Sequence, residues 1–399
     1  MKLQTPYFVI NQEILEKNIR EFQEALAELW PYSQLAYSIK TNSLPWLLRF
    51  MKERQIFAEA VSDEEYELAE LCGFQGEEII FNGPIKTRDG LQNAFNGKSF
   101  INLDSKEELA YIEKYHPDIS GNLGLRININ PNWFHSEDIG YVDDGFRFGY
   151  SDETGDFEKA LKVIQSLYHC NNIGLHLHCN SITRSLEVYK AIAKYAALLI
   201  EKYHLSPSYV DIGGGFFGGV EGKPTARDYI NKIKNELEKV INIKETKLIL
   251  EPGSALIGSA ADLVTSVLDV KETVKARIVT TDGSRVHIDP LWKKTGYMHT
   301  LETTGNVIPT SQIICGYTCM DHDRLMILKD QKELSQGDRI IYHRVGAYSM
   351  TLGGAFIRYF PDIYIKNKEC IQQIRERMTV KEYMAIQSKR IRKDYEEIN

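Results

Sequence analysis

The sequence predicts an α/β protein in which a (β/α)8 barrel is followed by a mostly-β domain. Between about residues 30 and 262, eight short apolar segments alternate with amphipathic segments of helical periodicity, the pattern of a parallel barrel. Beyond residue 262 the pattern changes to short strands separated by turns such as Asp282-Gly283. We therefore place the barrel at 30–262 and assign 1–29 and 263–399 to the β domain, with a tight interface expected because no flexible linker separates them.

The individual elements follow from the same periodicities. The chain should begin with a strand at 5–10 and a helix that Asn11 caps and that runs to about residue 30. The predicted barrel strands are 35–39, 56–60, 78–81, 99–103, 123–129, 173–178, 209–212 and 248–251, and the predicted helices between them include 63–72, 106–115, 157–167, 186–203 and 226–240. The β domain should contain strands at 264–270, 276–280, 312–315, 324–328 and 339–342.

Composition excludes several classes of protein. The chain has 399 residues, 43% of them hydrophobic and 26% charged, with a formal net charge of −7, which argues against a nucleic-acid-binding protein. The basic run at 389–393 alternates with acidic residues and is typical of a solvated helix face. We see no signal peptide and no membrane-spanning run, and the six cysteines are too sparse for a disulfide scaffold, so we expect reduced thiols and a cytoplasmic location.

The stretch Ala36-Tyr-Ser-Ile-Lys40 is the centre of the functional argument. It predicts a buried strand that delivers a lysine into a cleft, where desolvation lowers the pKa of an amine and makes it a nucleophile or Schiff-base partner. Taken alone, a lysine at a strand end is more often solvated, because lysine is rarely fully buried. The ends of other predicted strands are also polar or glycine-rich, at Glu59, Asn82, Asp104, Arg126, His178, Gly213 to Gly215 and Glu251. Since barrel enzymes place their chemistry at strand ends, these residues indicate one composite site.

Several motifs suggest what that site holds. Asp211-Ile-Gly-Gly-Gly215 follows a strand, and its glycines would allow backbone N–H groups to approach a phosphate. Glu251 in Glu-Pro-Gly-Ser254 could bind a protonated ring nitrogen or could act only as a helix-start charge. His176 and His178 face one side of a strand, and one of them could offer an aromatic surface to a flat ligand. No third metal ligand is evident beside this pair, and the cluster of Cys315, Cys319, His322 and Asp323 lacks the second ligand group of a zinc site, so we predict no metal.

Together these motifs resemble the fold-type III pyridoxal-phosphate decarboxylases, the group that contains diaminopimelate, ornithine/arginine and carboxynorspermidine decarboxylases. The resemblance covers nearly the whole chain and identifies it as a divergent member. It is carried by the segments 37–42, 59–65, 81–86, 104–108, 125–128, 147–149, 178–181, 211–215, 251–253, 319–323 and 346–348. It implies an alanine racemase/ornithine decarboxylase-like architecture in which the first strand returns to the β domain.

The resemblance also implies the role of each residue. Lys40 would hold pyridoxal 5'-phosphate as an aldimine, Glu251 would keep the pyridine nitrogen protonated, and His178 would stack on the ring. Arg126 would support the ring or His178. The phosphate would be surrounded by Ser181, Gly213, Gly214, Gly215, Gly253, Ser254 and Tyr348. Cys319 would come from the partner subunit of a homodimer with shared active sites, with Asp323 nearby, and the reaction would remove the α-carboxylate of an amino acid or amino-acid conjugate through an external aldimine and a quinonoid.

The substrate pocket departs from the family pattern. Ser254 stands where the diaminopimelate enzymes usually have arginine, Lys293 replaces the aspartate with which diamine-forming enzymes bind a distal ammonium, and Met320 replaces an acidic residue after the cysteine. We therefore predict a substrate whose distal end is neutral or anionic, bound by a group of residues comprising Arg285, His287, Lys293 and Lys294. The alternative is that these are solvated loop charges.

Two further function classes remain open at this stage. A racemase of the same fold would share the lysine but would need a tyrosine as second base, which the Cys319 motif disfavours. A non-catalytic decarboxylase-like regulator is disfavoured by intact Lys40, Glu251 and Cys319, although Ser254 and Asn180, the latter at a usual glycine position, depart from the cofactor-binding pattern. Specialised biosynthesis is the expected setting of a divergent member.

Overall fold

The computed structural model describes residues 3–118, 122–169 and 172–388. The chain divides into two compact units: one runs from Ile14 to Ser259, and the other combines the segment before Ile14 with the chain from Ala260 onward. Helix α1 (Gln12–Leu29) belongs almost entirely to the first unit, whereas the predicted boundary assigned it to the β domain. The reason is visible at Asn18, whose buried amide donates to the Leu256 carbonyl and to Ser259 Oγ, each at 2.8 Å.

The first unit is a closed barrel of eight parallel strands, as predicted. The ring runs in the order β5-β4-β3-β2-β10-β9-β8-β6 and closes through the pairing of β5 with β6. A short strand, β7, pairs with β6 outside the ring. After β1 (Tyr7–Asn11), the strands of this unit are β2 (Ser33–Ser38), β3 (Phe57–Ala60), β4 (Ile79–Phe81), β5 (Phe100–Leu103), β6 (Leu123–Asn128), β7 (Tyr150–Ser151), β8 (Gly174–Leu177), β9 (Tyr209–Asp211) and β10 (Lys247–Leu250).

Helices connect the barrel strands, and most of them start at a side-chain cap. Ser62, Thr87, Ser105, Ser185 and Thr225 each accept a hydrogen bond from a backbone N–H of the first helical turn, which satisfies one of its orphan donors. The helices are α2 (Pro45–Lys52), α3 (Asp63–Leu71), α4 (Arg88–Asn96), α5 (Lys106–Tyr115), α6 (Asp156–Tyr168), α7 (Leu186–Lys202), α8 (Ala226–Leu237) and α9 (Ser254–Ile257).

The second unit is mostly β, as predicted. Strand β1 lies in its sheet, antiparallel to β11 and parallel to β17, so the start of the chain returns to this unit. Its remaining elements are β11 (Ala261–Glu272), β12 (Arg277–Thr281), α10 (Arg285–Ile288), β13 (His299–Glu302), β14 (Ser311–Cys315), β15 (Arg324–Lys329), β16 (Arg339–Tyr342), β17 (Asp362–Lys366), β18 (Ile371–Arg375) and α11 (Val380–Ser388).

Three further predictions concerned membrane-spanning segments, the cysteines and the basic run at 389–393. Every helix within the described segments is too short or too polar to span a bilayer. The cysteines at 72, 179, 315, 319 and 370 are free thiols. Cys170 and the basic run at 389–393 lie outside the described residues.

Candidate active site

Lys40 lies directly after β2 and points its amine at a carboxylate. The strand ends at Ser38, and a short 3-10 helix over Ile39–Thr41 carries the lysine. Lys40 Nζ is 2.6 Å from Glu59 Oε2 and 2.6 Å from Ser38 Oγ. The side chain is 43% exposed, so the amine is ion-paired at the edge of the barrel rather than desolvated, which corrects the sequence-based expectation.

Glu59 at the end of β3 is the buried partner of this lysine. Its side chain is 2% exposed and accepts hydrogen bonds from Lys40, from Ser38 and, at 3.2 Å, from Asn82 Nδ2. Burial opposes ionisation of Glu59, but the Lys40 charge and these hydrogen bonds outweigh it and hold the carboxyl pKa below its usual value. Glu59 is therefore an anion that pairs with the Lys40 ammonium group and can accept its proton.

A chain of hydrogen-bond donors leads from Glu59 across the barrel to Glu251. Asn82 Nδ2 donates to Glu251 Oε1 at 2.7 Å, Asn102 Nδ2 donates to Asn82 Oδ1 at 2.8 Å, and Tyr209 OH donates to Asn102 Oδ1 at 2.7 Å. Each donor fixes the orientation of the next amide, so Asn82 presents its N–H groups to both glutamates. The two ends of the predicted cofactor site are thus joined by one buried network.

Glu251 and Asp211 form a pair of buried carboxyls, with an oxygen of each within 4.8 Å of the other. They come from neighbouring strands, Asp211 closing β9 and Glu251 following β10. Burial, together with the negative charge of Asp211, raises the pKa of Glu251 well above its usual value, and burial raises the pKa of Asp211 to about 7. Two carboxylates in this contact would repel strongly in a low dielectric, so the pair holds a proton at neutral pH.

His176 completes this cluster. Its Nε2 is 3.8 Å from Glu251 Oε2, and ligand atoms of His176, Asp211 and Glu251 all lie within 4.8 Å of one another. Burial, followed by the charge of Arg126, lowers the pKa of His176 well below its usual value, so the imidazole is neutral. The sequence showed no further candidate metal ligand beside His176 and His178. The structure places two carboxyls next to His176, those of Asp211 and Glu251, and this carboxyl pair holds a proton.

The loop after β9 is a glycine cradle for the His178 ring. Gly213 and Gly215 have φ values of +69° and +91°, which favour glycine. A Cβ on Gly213 would lie 2.7 Å from His178 Nδ1, and a Cβ on Gly214 would collide with the Glu251 carbonyl oxygen. Burial, then the charges of Arg126 and Lys40, lowers the pKa of His178 to about 3, so this ring offers a neutral aromatic face.

Arg126 on β6 is held by a second buried network. Its Nε is 3.5 Å from Asp104 Oδ2, and the Asp104 backbone N–H donates to Glu108 Oε2 at 2.8 Å. Lys86 pairs with Glu108 at 3.1 Å and donates to the carbonyls of Gly83 and Asn102. These bonds tie the loop after β4 to the end of β5 and position Arg126.

The remaining barrel residues of the prediction also lie in this unit. Ser181 Oγ donates to the Asp138 carbonyl at 3.2 Å and accepts from the Arg184 N–H at 2.8 Å. Ser254 begins α9, and a Cβ on the preceding Gly253 would collide with Thr41, which explains the glycine. Both serines thus stand at loop positions where backbone and hydroxyl donors are available.

Asp323, which we expected near the substrate, orders loops within the β unit. Its carboxyl is buried and accepts from Ser284 Oγ at 2.8 Å, from the Arg285 N–H at 3.0 Å and from Thr318 Oγ1 at 2.7 Å. A Cβ on Gly316 would collide with this carboxyl. Its substrate contact stays a prediction.

The cationic group of the predicted substrate pocket lies around Asp289. Arg285 donates to Asp289 at 2.6 Å and packs over Trp292, while the backbone N–H groups of Lys293 and Lys294 donate to the same carboxyl. The charge of Arg285 is therefore largely compensated, whereas Lys293 and Lys294 are exposed.

The other predicted residues of the β unit differ in exposure. His287 is buried, and burial lowers its pKa to about 4, so this ring is neutral. Cys319 and Tyr348 are exposed. The site roles of these residues also stay predictions.

Sequence reasoning missed several members of the barrel network. Asp211 was noticed only as the start of the glycine motif, while Asn102, Tyr209, Ser38 and Glu65 were not singled out. Glu65 reaches back from α3 to the Val61 N–H at 2.9 Å, and burial raises its pKa to about 7. Polar side chains inside apolar strands, such as Asn102 in Phe-Ile-Asn-Leu, were the available signal.

Comparison with known proteins identifies the family. The sequence model described as "Pyridoxal-dependent decarboxylase, pyridoxal binding domain" matches residues 13–258, more than half of the chain. The chain belongs to this family of pyridoxal-dependent decarboxylases. It is accordingly a pyridoxal-phosphate-dependent carboxy-lyase.

Individual relatives are distant but cover most of the chain. A diaminopimelate decarboxylase of Archaeoglobus fulgidus is 27% identical over 365 residues, which span 88% of this chain and 85% of that protein. The diaminopimelate decarboxylase of Helicobacter pylori complexed with L-lysine superposes with a TM-score of 0.81 at 22% identity over 97% of each chain. The arginine decarboxylase of Paramecium bursaria Chlorella virus bound to agmatine superposes with a TM-score of 0.76 at 22% identity over 91% of this chain and 96% of that one. At such identities the superpositions establish the fold alone.

The residues present fit pyridoxal phosphate. An accessible lysine amine beside an anionic carboxylate suits covalent attachment of an aldehyde. His178 Nδ1 and both ring nitrogens of His176 are buried without a hydrogen-bond partner among the described residues, and a side chain at Gly213 or Gly214 would collide with His178 or with Glu251, so only glycine backbone lines this part of the site. The cofactor is therefore expected at the mouth of this barrel, between Lys40 and Glu251.

The raised pKa of Asp211 predicts a pH dependence of stability in the cofactor-free protein. A carboxyl whose pKa rises from about 4 unfolded to about 7 folded contributes stability below pH 4 that is lost as the pH rises through 7. The stability of wild type relative to Asp211→Asn should therefore fall by a few kcal/mol between about pH 4 and pH 8, at roughly 1.4 kcal/mol per pH unit. Urea unfolding of both proteins across this range measures the difference, and a constant difference would contradict the assignment.

Proposed function

We propose that this protein removes the α-carboxylate of an amino acid or amino-acid conjugate at the barrel mouth between Lys40 and Glu251. The observation that carries the proposal is the single buried network that links the lysine partner Glu59 to Glu251 through Asn82. Bound there, pyridoxal phosphate supplies a sink for the electron pair that remains when carbon dioxide leaves.

Each residue has a definite task in this proposal. Lys40 would form the covalent link to the cofactor, and anionic Glu59 would accept a proton from the Lys40 ammonium group. Glu251 would pair with the pyridine nitrogen, and neutral His178, supported by Arg126, would offer its ring face to the cofactor. The phosphate is held by backbone and hydroxyl donors of Ser181, Gly213, Gly214, Gly215, Gly253, Ser254 and Tyr348.

The active form in this proposal is a homodimer in which Cys319 serves the partner's site. The exposed thiol supports this role, since a residue that acts in another subunit must be accessible on its own chain. Subunits carrying Lys40→Ala, mixed in equal amounts with subunits carrying Cys319→Ala, should recover about a quarter of wild-type activity, because random exchange makes half of the dimers mixed and each mixed dimer has one intact site. Each variant alone should be impaired, and mixtures without recovery would argue against shared sites.

The substrate proposal is an amino acid with a neutral or anionic distal end. The compensated charge of Arg285 shifts the expected contact toward the exposed Lys293 and Lys294, with Arg285, His287 and Asp323 shaping the surrounding loops. The characterised relatives are named for diaminopimelate and arginine, and these substrates are included as comparison compounds.

Charge reversal at Lys293 tests this contact. Lys293→Glu should raise the KM for a substrate with an anionic distal end about tenfold or more, because a favourable charge pair becomes a repulsive one, with little change in kcat. Lys275→Glu, an equally exposed position in the same unit, is the matched control. An unchanged KM in Lys293→Glu would remove this residue from the pocket.

A spectral titration identifies the substrate class. Purified protein is titrated with L- and D-amino acids grouped by distal charge, while cofactor absorbance and carbon dioxide release are followed together. Release with one charge class supports the proposal, and the enantiomer that reacts defines the stereochemistry. Interconversion of enantiomers without carbon dioxide release would favour a racemase, and failure to bind pyridoxal phosphate would favour a regulator.

A further inference from the structure

The pair formed by Asp211 and Glu251 has no assigned part in the reaction beyond the contact proposed for Glu251. Both side chains are buried, at 0% and 4% exposure, and a carboxyl oxygen of each lies within 4.8 Å of the other. Two carboxylates this close in a low dielectric would repel strongly, so a proton is held between them at neutral pH. The pair therefore carries a shared proton as part of its structure.

The surroundings allow either member to be the anion. Asp211 Oδ1 accepts from the Gly213 N–H at 2.8 Å, and its Oδ2 lies 3.4 Å from Asn102 Nδ2. Glu251 Oε1 accepts from Asn82 Nδ2 at 2.7 Å. Because each carboxyl has a fixed donor of its own, a negative charge can be stabilised on either member of the pair.

Within the described segments, the cations near the pair already face other carboxylates. Lys40 is 2.6 Å from Glu59, and Arg126 is 3.5 Å from Asp104, so both nearby cations are already matched. His176 and His178 are neutral at neutral pH. The charged and titratable groups that interact with the pair are Lys40 after β2, Glu59 on β3, Arg126 on β6, His176 on β8 and Tyr209 on β9.

We propose that Asp211 is a positioning residue that takes the shared proton from Glu251 when a cationic ring nitrogen binds beside Glu251. In this transfer the O–H bond of the Glu251 carboxyl breaks and an O–H bond forms on Asp211, so the total charge of the pair stays at −1. Glu251 thereby changes from a neutral acid into the carboxylate that faces the positive nitrogen, and no proton is exchanged with water. This inference rests on the proposed function, because it requires pyridoxal phosphate at Glu251.

The direction of the transfer follows from the charges. Without a ligand, Glu251 is the better proton holder, because two hydrogen bonds stabilise the Asp211 carboxylate, from the Gly213 N–H and from Asn102, whereas the Glu251 carboxyl accepts one, from Asn82. A positive charge next to Glu251 stabilises its carboxylate more than that of the more distant Asp211. The stable bound arrangement is therefore a protonated Asp211 that donates to an ionised Glu251, with one positive charge opposite one negative charge in a buried site.

The test is ¹³C NMR of the full-length protein labelled at aspartate Cγ and, separately, at glutamate Cδ. The Asp211 and Glu251 signals are assigned by their loss in Asp211→Asn and Glu251→Gln, and Asp89→Asn, an exposed carboxyl on α4, is the matched control. Spectra are recorded at about pH 8, where the pair holds one proton, before and after addition of pyridoxal phosphate. We expect the Asp211 signal to move from the carboxylate to the carboxylic-acid position while the Glu251 signal moves in the opposite direction.

The possible outcomes separate this inference from the proposed function. If the cofactor absorbance appears but Asp211 stays ionised, or is already protonated without cofactor, the transfer is overturned and the decarboxylase proposal stands. If pyridoxal phosphate does not bind at all, the proposed function itself fails. A purely structural role for Asp211 predicts unchanged protonation of both residues on binding, which this measurement distinguishes directly.

Discussion

Replacing Lys40 with alanine is expected to abolish both decarboxylation and the absorbance of covalently held cofactor. Lys40 follows β2, and its amine lies 2.6 Å from Glu59 on β3. We expect this amine to form the covalent link. Loss of a covalent and acid–base group at a reaction centre lowers kcat/KM by about 10³-fold or more. Absorbance spectroscopy of purified protein, with carbon dioxide release measured in parallel, gives both results.

The control for Lys40→Ala must remove a lysine of similar exposure from the same unit. Lys52→Ala fulfils this condition, because Lys52 pairs with Glu78 at 2.7 Å and has a side-chain exposure of 30%, against 43% for Lys40. Surface ion pairs of this kind contribute up to about 1 kcal/mol, so Lys52→Ala should fold and retain activity. A Lys40→Ala protein with wild-type activity would contradict the central assignment.

The barrel and the positions of its rim residues could be predicted from two features of the sequence. These are the spacing of its apolar residues and the alternation of strands with helices along the chain. Apolar segments spaced by amphipathic helices define parallel strands, and the first residues after each strand must meet at one end of a closed barrel. Lys40, Glu59, Asn82 and Glu251 could therefore be placed at one end of the barrel from the sequence alone.

The interior network could not be predicted, because it depends on register between strands. Asn102 and Asp211 lie on β5 and β9, strands that do not pair with one another, and only the closed barrel brings their side chains to 3.4 Å. Tyr209 fits among them because its neighbours Gly124 and Gly174 have no side chain. A Cβ at either position would collide with the tyrosine side chain. Such complementarity depends on three strands at once and leaves no local sequence signal.

The sequence identified the cationic side chains in one loop of the β unit, but it did not show which of their charges remain uncompensated. The sequence offered Arg285, Lys293 and Lys294 as equivalent cations, but Asp289 four residues after Arg285 compensates one of them and fixes the backbone of the other two. An aspartate that accepts from four donors in a loop, here Arg285, Tyr297 and the backbone of the two lysines, resembles an ordinary turn residue in sequence. Which cation remains available is therefore decided by folding.

Replacing Glu251 with glutamine should separate cofactor binding from chemistry. The amide keeps the size of the side chain and a contact with Asn82, whose donated hydrogen bond at 2.7 Å can be accepted by the glutamine oxygen. It cannot become the anion that faces a positive ring nitrogen, so the ring loses the charge that sustains its protonation. We expect cofactor binding within about tenfold of wild type, with kcat lowered by about 10²- to 10³-fold, the range found when one electrostatic stabiliser is removed.

The effect of Glu251→Gln should also be specific to this carboxyl. Glu113→Gln, on an exposed position of α5, is the matched control and should leave kcat unchanged. The protonation of the ring nitrogen can be read from ¹⁵N NMR of labelled pyridoxal phosphate, which should report a neutral nitrogen in Glu251→Gln and a protonated one in wild type. A protonated nitrogen together with a normal kcat in Glu251→Gln would show that the charge opposite the ring comes from another residue, and Asp211, whose carboxyl lies within 4.8 Å of that of Glu251, would be the group to examine next.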